Sequence, residues 1–281
     1  MKRYFNDQKY LKFKKDFLFL FETVRSSVGE LDIKLRDNYF NLYYRGNSLA
    51  KITFKDDEYQ ISIHRKFLRE GKGEGLIFDN DPRLCGLKKA SGDYCVFSID
   101  KALLRPFFQT KYLKKIYGNI RSVNYSEELT FEQMVITDNL NREELFIIDR
   151  QVTETALKGR RMDLLALKQI SKGENKYSFL LIEIKTGRNP ELKKDAGSQL
   201  SGYLKHINSH FNEWKSSYER NYEQIKGVNI FDNPKFQKIN IVNDTKGLIL
   251  VFGYSGIAKQ QLVELSKSYP GLAYNQITSE L

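Results

Sequence analysis

The chain has 281 residues, of which 41% are hydrophobic and 29% charged, a composition typical of a soluble globular protein. No stretch reaches the roughly 18 uncharged apolar residues of a membrane span, and no secretion signal is evident, so we expect a cytoplasmic protein without a membrane partner. The two cysteines, Cys85 and Cys95, are too few for a disulfide framework and fit a reducing compartment.

The formal net charge of +11 is unevenly distributed along the chain. Residues 1–125 contain 25 Lys and Arg against 15 Asp and Glu, a net charge of +10, and residues 126–281 contain 21 against 20, a net charge of +1. A basic half is typical of a protein that binds a polyanion, with nucleic acid the first candidate. Many soluble proteins are also mildly basic, so charge alone leaves both interpretations open.

The N-terminal part predicts one helix and an antiparallel meander. Residues 9–26 place aromatic and aliphatic side chains at helical spacing, which indicates an amphipathic helix. Residues 30–65 contain strand-like runs separated by turn residues, which is typical of an antiparallel meander. Residues 70–95 are rich in Gly, Asp and Lys and predict mostly loop.

A domain boundary is expected near residue 120. Residues 101–117 predict a helix interrupted by Pro106, and the pattern changes from Ser126 onward. We therefore predict a basic N-terminal accessory domain over residues 1–120, which binds nucleic acid or a partner, and a second domain over residues 121–281.

The second domain predicts a mixed α/β (α+β) fold. Its predicted elements, in chain order, are a helix from Ser126, strands at 144–154, 160–170 and 177–187, a helix at 190–214, a strand at 246–256 and a helix at 257–269. This order is helix, three strands, helix, strand, helix.

The third predicted strand carries two charges in an apolar run. In the sequence FLLIEIKTG, residues 179–187, Glu183 and Lys185 are two apart and therefore point to the same face, about 6.5–7 Å apart. Buried unpaired charges are costly, so the two groups are expected to offset each other or to serve a bound metal.

A third charged residue is predicted to join this pair. Asp163 is the only acid in the preceding strand RMDLLAL, which a short polar turn connects to the next strand. Antiparallel pairing across that turn brings Asp163 beside Glu183. Two converging carboxylates suit Mg²⁺ or Mn²⁺, and such a metal with a nearby lysine serves phosphodiester hydrolysis.

Two polar residues on the following helix share one face. Gln199 and Tyr203 are four residues apart, and we expect them beside the apolar stripe of that helix rather than within it. From there they could reach a phosphate, a metal-bound water or Lys185.

The segments GRRMDLL, IEIKTG and QLSGY together resemble the PD-(D/E)XK nuclease superfamily. Gln199 and Tyr203 resemble the QxxxY motif of its RecB-like and lambda-exonuclease-like branch. The resemblance covers residues 126–256 and implies a restriction-endonuclease-like mixed sheet flanked by helices. Met162 stands where the family label has proline, at a position that varies widely in the family.

The resemblance also implies roles for individual residues. Asp163 and Glu183 carry over as metal ligands, with the carbonyl of Ile184 completing the site, and Lys185 carries over as the catalytic lysine. Gln199 and Tyr203 carry over as auxiliary active-site residues. Members of the branch that has this motif often act at DNA ends.

A further metal-binding glutamate from the first helix is common in that family. Glu132 is the better match, and Glu128, one turn earlier on the same face, is the competitor. Several charged or hydroxyl side chains are expected near the metal, where they either hold phosphates or are ordinary solvated surface groups. They are Lys158, Arg160, Arg161, Thr186 and Arg188.

The sequence therefore predicts a metal-dependent nuclease that acts on DNA, with a role in bacterial anti-phage defence or DNA processing suggested by the resemblance alone. Two alternatives stay open. One is a nuclease-like nucleic-acid-binding or regulatory subunit with little cleavage, and the other is an RNA-cleaving toxin with the same chemistry. A homo-oligomer or a complex with a partner defence protein is compatible with each.

Overall fold

The computed structural model describes residues 2–71, 75–123, 126–154, 161–232, 235–253 and 256–277. The chain divides into two compact units. One comprises Lys2–Thr130 with Val228–Ile230, and the other comprises Phe131–Gly227 with the chain from Phe231 onward. The units divide after Thr130, later than the predicted boundary at residue 120. Both contain helices and a multi-stranded sheet, so the chain is of mixed α and β class.

The N-terminal unit begins with helices and continues as a sheet. Its elements are α1 (Asp7–Asp16), α2 (Leu18–Ser26), β1 (Leu31–Leu35), β2 (Tyr39–Tyr44), β3 (Asn47–Phe54), β4 (Tyr59–His64), short 3-10 helices at Arg65–Phe67 and Cys85–Leu87, β5 (Lys88–Ser91), β6 (Tyr94–Ile99), α3 (Lys101–Phe107) and α4 (Thr110–Val123). The sheet is antiparallel throughout, in the order β1-β2-β3-β4-β6-β5.

Two predictions for this unit need correction. The single helix predicted over residues 9–26 is two helices, which meet at Phe17. Phe17 packs into an aromatic core at this break, and the ring centroids of Phe17 and Phe40 are 4.9 Å apart. The loop predicted over residues 70–95 contains β5, whose polar sequence KKAS suits an edge strand and gives no apolar signal. The predicted meander corresponds to β1–β4.

The C-terminal unit alternates helices with a second sheet. Its elements are α5 (Glu127–Asp138), β7 (Leu145–Thr153), β8 (Arg161–Gln169), β9 (Lys176–Thr186), α6 (Glu191–Lys194), α7 (Ala196–Ser209), α8 (Phe211–Gly227), β10 (Asn240–Ile241), β11 (Lys246–Phe252), α9 (Gly256–Ser268) and β12 (Ala273–Ile277), with α5 entering this unit at Phe131. No helix in the described ranges is long and apolar enough to span a membrane.

The second sheet is mixed, in the order β12-β11-β9-β8-β7. Strands β7, β8 and β9 pair antiparallel, whereas β11 and β12 join in parallel, and β10 pairs with the first two residues of β9. Strand β9 therefore lies at the centre, and nine of its eleven residues are buried. A near-continuous apolar run is what a strand covered on both faces requires.

Apolar clusters cover the two faces of this sheet. On one face, Leu165, Phe179 and Leu181 pack with residues of α7 and α8 such as Leu200 and Tyr218. On the other, Leu164, Ile182 and Ile184 pack with Val135 and Ile136 of α5. The alternation along β8 and β9 assigns odd positions to the α7 side and even positions to the α5 side.

Three elements of this unit differ from the prediction. The helix predicted over residues 190–214 is three helices, α6, α7 and α8, and the last continues to Gly227. Strands β10 and β12 were not predicted. β12 has no buried residue and carries Asn275 and Gln276, so it lacks the apolar pattern that marks a strand in sequence.

A glycine permits the close approach of α7 and α9. A Cβ atom at Gly197 would lie 2.5 Å from Cδ2 of the Tyr269 ring and 3.0 Å from Cδ2 of Leu265. Gly202, on the same helix, would place its Cβ in open space. The start of α7 is therefore seated against α9 only because residue 197 has no side chain.

We expect Gly197→Ala to destabilise the C-terminal unit by about 1–3 kcal/mol through overpacking. The matched change Gly202→Ala should stabilise it by up to about 1 kcal/mol, because alanine favours an exposed helical position. Urea unfolding of both variants measures the difference, and equal stabilities would contradict the close packing at Gly197.

Candidate active site

The β8–β9 hairpin brings Asp163 to Glu183. Its ladder runs from Gln169↔Tyr177 to Leu164↔Ile182, and the same register places Asp163 opposite Glu183. The ladder ends there, and the N–H of Ile184 donates a hydrogen bond to Oδ2 of Asp163 at 2.8 Å. The predicted pairing of these two strands is confirmed, and a carboxylate takes the place of a main-chain acceptor at its end.

The charges of β9 form a compact ion-pair group. The ammonium Nζ of Lys185 lies 2.9 Å from Oε1 of Glu183 and 2.8 Å from Oε2 of Glu191 on α6. The side chains of Lys185 and Glu183 are 7% and 3% exposed. The predicted offset of the two charges is confirmed, and Glu191 is a second acid that the sequence did not suggest.

Lys185 is held in its charged form. Burial lowers the pKa of its ammonium, but the charge of Glu183, hydrogen bonds to Glu191 and Glu183, and the charge of Asp163 outweigh burial and hold that pKa above its ordinary value. Lys185 is therefore suited to stabilising negative charge rather than to removing a proton.

A second buried ion pair lies beside this group. Glu132 on α5 is 3% exposed, and its Oε2 accepts a hydrogen bond from Nη2 of Arg150 at 2.8 Å. Nη1 of the same arginine donates to Oε1 of Gln133 at 3.1 Å. Of the two glutamates considered from sequence, Glu132 is the one buried near Asp163, and Glu128 is only half-buried.

Arg150 is in turn connected to the far side of the sheet. Its main-chain N–H donates to Oδ1 of Asp149, and the hydroxyl of Tyr218 donates to Oδ2 of the same carboxylate, each at 2.8 Å. The hydrogen bonds thus run from α8 through β7 to α5. Because buried polar groups need partners, this network fixes how α5 is rotated on the sheet.

The electrostatics of Asp163 show that the acids crowd one another. Burial raises the pKa of Asp163 well above its ordinary value, and the charges of Glu183 and Glu132 raise it further. The hydrogen bond from Ile184 and the charge of Lys185 oppose this rise without cancelling it. Burial also raises the pKa of Glu132, against the opposing effect of Arg150.

The acids next to Asp163 are not fully compensated. The charges of Glu183 and Glu132 oppose the ionisation of Asp163, and the charge of Lys185 does not cancel their effect. A divalent cation would relieve this crowding, and hard carboxylate oxygens are the ligands that Mg²⁺ and Mn²⁺ prefer.

The donor set available to such an ion is limited. Among the described residues, no three His, Cys, Asp or Glu side chains stand close enough to hold a metal ion together. Glu132 is bonded to Arg150, whereas Asp163 and Glu183 are facing residues of the β8–β9 hairpin. The metal-ligand roles predicted for Glu132 and for the Ile184 carbonyl stay predictions.

The backbone is distorted at the same place in the sheet. Gln151, which the β7–β8 register places opposite Asp163, has φ of 48°, in the left-handed region that few residues other than glycine adopt. Val152 and Met162 belong to the α7-side cluster although alternation predicts the α5 side. The regular alternation of side chains between the two faces is therefore interrupted on both β7 and β8, next to Asp163.

The helix residues predicted to assist differ in their placement. Tyr203 is 2% exposed and packs within the α7-side core, so the expectation that it lies beside the apolar stripe is wrong. The reason is spacing, because Leu200, Tyr203 and Ile207 follow one another at three and four residues. Gln199 is half-buried on the adjoining part of α7.

The predicted phosphate-binding residues are only partly within the described chain. Arg161 and Arg188 are exposed, and Thr186 at the end of β9 is half-buried. Arg161 lies close enough to Glu132 to lower the pKa of that carboxyl. Lys158 and Arg160 lie outside the described residues.

Sequence reasoning missed Arg150, Gln151 and Glu191. A signal for Arg150 was present, because the apolar strand LFIIDRQV carries two adjacent charges, the same kind of anomaly that marked β9. No sequence signal marks Gln151, whose conformation arises only in the folded sheet.

Comparison of the chain with models of protein families, with curated proteins and with solved structures found no match.

We expect Asp163→Asn to stabilise the cation-free protein at neutral pH, because asparagine keeps an acceptor for the Ile184 N–H and removes a crowded charge. Since the native pKa of Asp163 is raised, the wild-type free energy of unfolding should fall as pH rises from about 4, the unfolded value, through the native value. Thermal unfolding across pH with chelator measures this. An equal fall in Asp163→Asn would contradict it, and Asp244→Asn at the exposed Lys246 pair is the control.

Removing Arg150 should destabilise the protein far more than removing the whole pair. Arg150→Met takes the ion-pair partner from the buried Glu132 carboxylate, a loss that typically costs about 3–5 kcal/mol, whereas Glu132→Leu with Arg150→Met is expected to be near neutral. Urea unfolding checks both, and a double variant as unstable as the single one would show that the ion pair itself is needed.

Proposed function

We propose that the C-terminal unit is a metal-dependent nuclease with the restriction-endonuclease-like fold of the PD-(D/E)XK superfamily. The proposal is supported by the mixed sheet, in which three antiparallel strands are followed by a parallel one, with α5 on one face and α7 on the other. Asp163 and the neighbours of Glu183 also meet at one end of the β8–β9 ladder, where Lys185 pairs with Glu183.

One observation carries the proposal. Glu183 and Lys185 form a buried pair near the end of the central strand β9, and the half-buried Asp163 on β8 is crowded by the acids around it. An ordinary structural ion pair needs only matched charges, whereas this arrangement disfavours the ionisation of Asp163 and is relieved by a cation. Strongly perturbed acids cluster at functional sites, where a residue with a raised pKa beside a specific charged partner is a candidate for binding or chemistry.

The residues have separate roles in the proposed hydrolysis. Asp163 and Glu183 would hold Mg²⁺ or Mn²⁺, which when bound polarises a phosphoryl oxygen and makes bound water a stronger nucleophile. Lys185, kept protonated by its acidic neighbours, stabilises the negative charge that develops on the phosphate. Glu191 orients the ammonium of Lys185 from α6.

DNA is the proposed substrate. The N-terminal unit carries most of the excess positive charge, and Arg161 and Arg188 are exposed cations next to the ends of β8 and β9. Such cations bind phosphates without regard to sequence. The setting proposed from the resemblance is anti-phage defence or DNA processing, alone, as a homo-oligomer or with a partner protein.

We expect the protein to cleave DNA in the presence of Mg²⁺ or Mn²⁺, and Asp163→Asn and Lys185→Ala to lose about 10²–10⁴-fold of that activity because they remove a ligand and a charge-stabilising group. Lys246→Ala is the matched control, since Lys246 lies in the same sheet but pairs with the exposed Asp244. Gel assays with linear DNA, circular DNA and RNA measure cleavage.

The substrates separate the alternatives. Cleavage of RNA alone would favour the RNA-cleaving toxin, and binding without cleavage of any nucleic acid would favour the regulatory subunit. Activity that survives Asp163→Asn or Lys185→Ala would show that the site lies elsewhere. Circular DNA that resists cleavage while linear DNA is degraded would indicate action at ends.

A further inference from the structure

Helices cover one face of the N-terminal sheet. A row of fully buried side chains runs across four strands on this face, and it consists of Phe40, Ile52, Ile61 and Phe97. The ring of Phe40 packs on Phe13 of α1, with centroids 5.0 Å apart, and the ring of Phe97 packs on Phe107 of α3, at 5.1 Å. Helices from both ends of the unit therefore share the same side of the sheet.

The other face of this sheet is in contact with solvent. Lys51 of β3 pairs with Ser62 of β4, and Ser62 pairs with Val96 of β6. These positions alternate with the buried row and so point away from the helices. Lys51 is exposed, and Ser62 and Val96 are half-buried. We call this side of β2–β6 the open face, and it carries Tyr39, Lys51, Ser62, His64 and Tyr94.

The open face carries two groups of rings. In the first, Nζ of Lys51 lies over the ring of Tyr39, 4.1 Å from its centroid. In the second, His64 and Tyr94 are opposite each other on β4 and β6, with ring centroids 5.1 Å apart. Tyr94 is 48% exposed, so one side of this group is free to contact another ring.

The sheet sets the distance between the two groups. Tyr39 is in register with Thr53 and, through it, with Gln60, which lies four residues before His64 on β4. Two strand spacings of about 4.8 Å and four residues of about 3.4 Å place the groups about 17 Å apart. Lys51 lies on the intervening strand β3. A chain with several stacking groups could therefore contact both ring groups while its backbone passes Lys51.

The charge of this face suits a polyanion. Within the described strands β2–β6, none of the positions on the open face is Asp or Glu, and β1 adds Asp32, which is paired with Lys34 at 3.1 Å. Arg65 and Lys66 directly follow His64, and Arg65 is exposed. Residues 1–125 carry a net charge of +10. Cations beside rings are the combination that binds phosphates and bases together.

We propose that the open face binds single-stranded nucleic acid, with bases stacked on Tyr39 and Tyr94 and a phosphate held by Lys51. Stacking requires base faces that a duplex keeps inside its own helix, whereas a single strand presents them. The proposal goes beyond the proposed function, because it assigns a binding site to the N-terminal unit and holds whether or not the C-terminal unit cleaves.

The test is fluorescence anisotropy of the full chain, in chelator, with labelled oligonucleotides. A length of about 12 nucleotides lies within the roughly 4–16 that one oligonucleotide-binding domain covers. The probes are oligo(dT), oligo(U) and a DNA duplex of the same length. We expect at least one single strand to bind more tightly than the duplex, and the tighter of the two identifies the sugar that the face prefers.

Variants locate the binding to the open face. Tyr94→Ala should weaken single-strand binding about 5–150-fold, the effect of losing one stacked base, and Tyr94→Phe should retain it because the ring remains. Lys51→Ala should make the slope of log affinity against log salt shallower by about 0.7, as expected for one lost phosphate contact. Lys111→Ala is the matched control, because Nζ of Lys111 lies over the ring of Tyr112 at 4.6 Å on α4. It should leave the slope unchanged.

Three results would overturn the proposal. These are no binding of either single strand at about 100 µM protein, the weak limit of non-specific affinity, duplex binding as tight as single-strand binding, and a folded Tyr94→Ala variant that binds like the wild type. Thermal unfolding confirms that each variant is folded. If Tyr94→Ala is not, Tyr94→Thr, which favours a strand but has no ring, replaces it with the same criterion. Cleavage is not measured, so each outcome is separate from the proposed nuclease activity.

Discussion

The pairing of β8 with β9 is the constraint on which the candidate site depends. Each residue of the ladder fixes the face to which its neighbours point, and a shift of one residue would send Glu183 and Lys185 to the α5 side. The ladder ends where Asp163 accepts the Ile184 N–H. Apolar residues on both faces hold the two strands in register up to the charged end.

The same region concentrates what a stable fold would otherwise avoid. Three strands and α5 together contribute the crowded carboxylates around Asp163, the buried Arg150, and Gln151 with its left-handed backbone. Proteins retain such features where strain and charge serve binding or chemistry, and the surrounding core compensates for them. The stability of this unit and its proposed activity therefore oppose each other at Asp163.

The sequence predicted the parts of the structure that depend on local pattern. The three strands, the antiparallel pairing of the second with the third, and the placement of Asp163 opposite Glu183 follow from apolar runs and a short turn. It did not predict β12 or the break at Phe17, because these depend on tertiary pairing and aromatic packing rather than periodicity. Nor could spacing reveal that Arg150 on β7 would meet Glu132, since that contact joins residues eighteen apart across two elements.

The fork of Arg150 onto Glu132 has a consequence for how this chain can diverge. Loss of either partner alone leaves a charge buried, whereas loss of both leaves an apolar contact that the core can accommodate. A single substitution at position 132 or 150 therefore lowers stability, and a second substitution at the other position is expected to restore it.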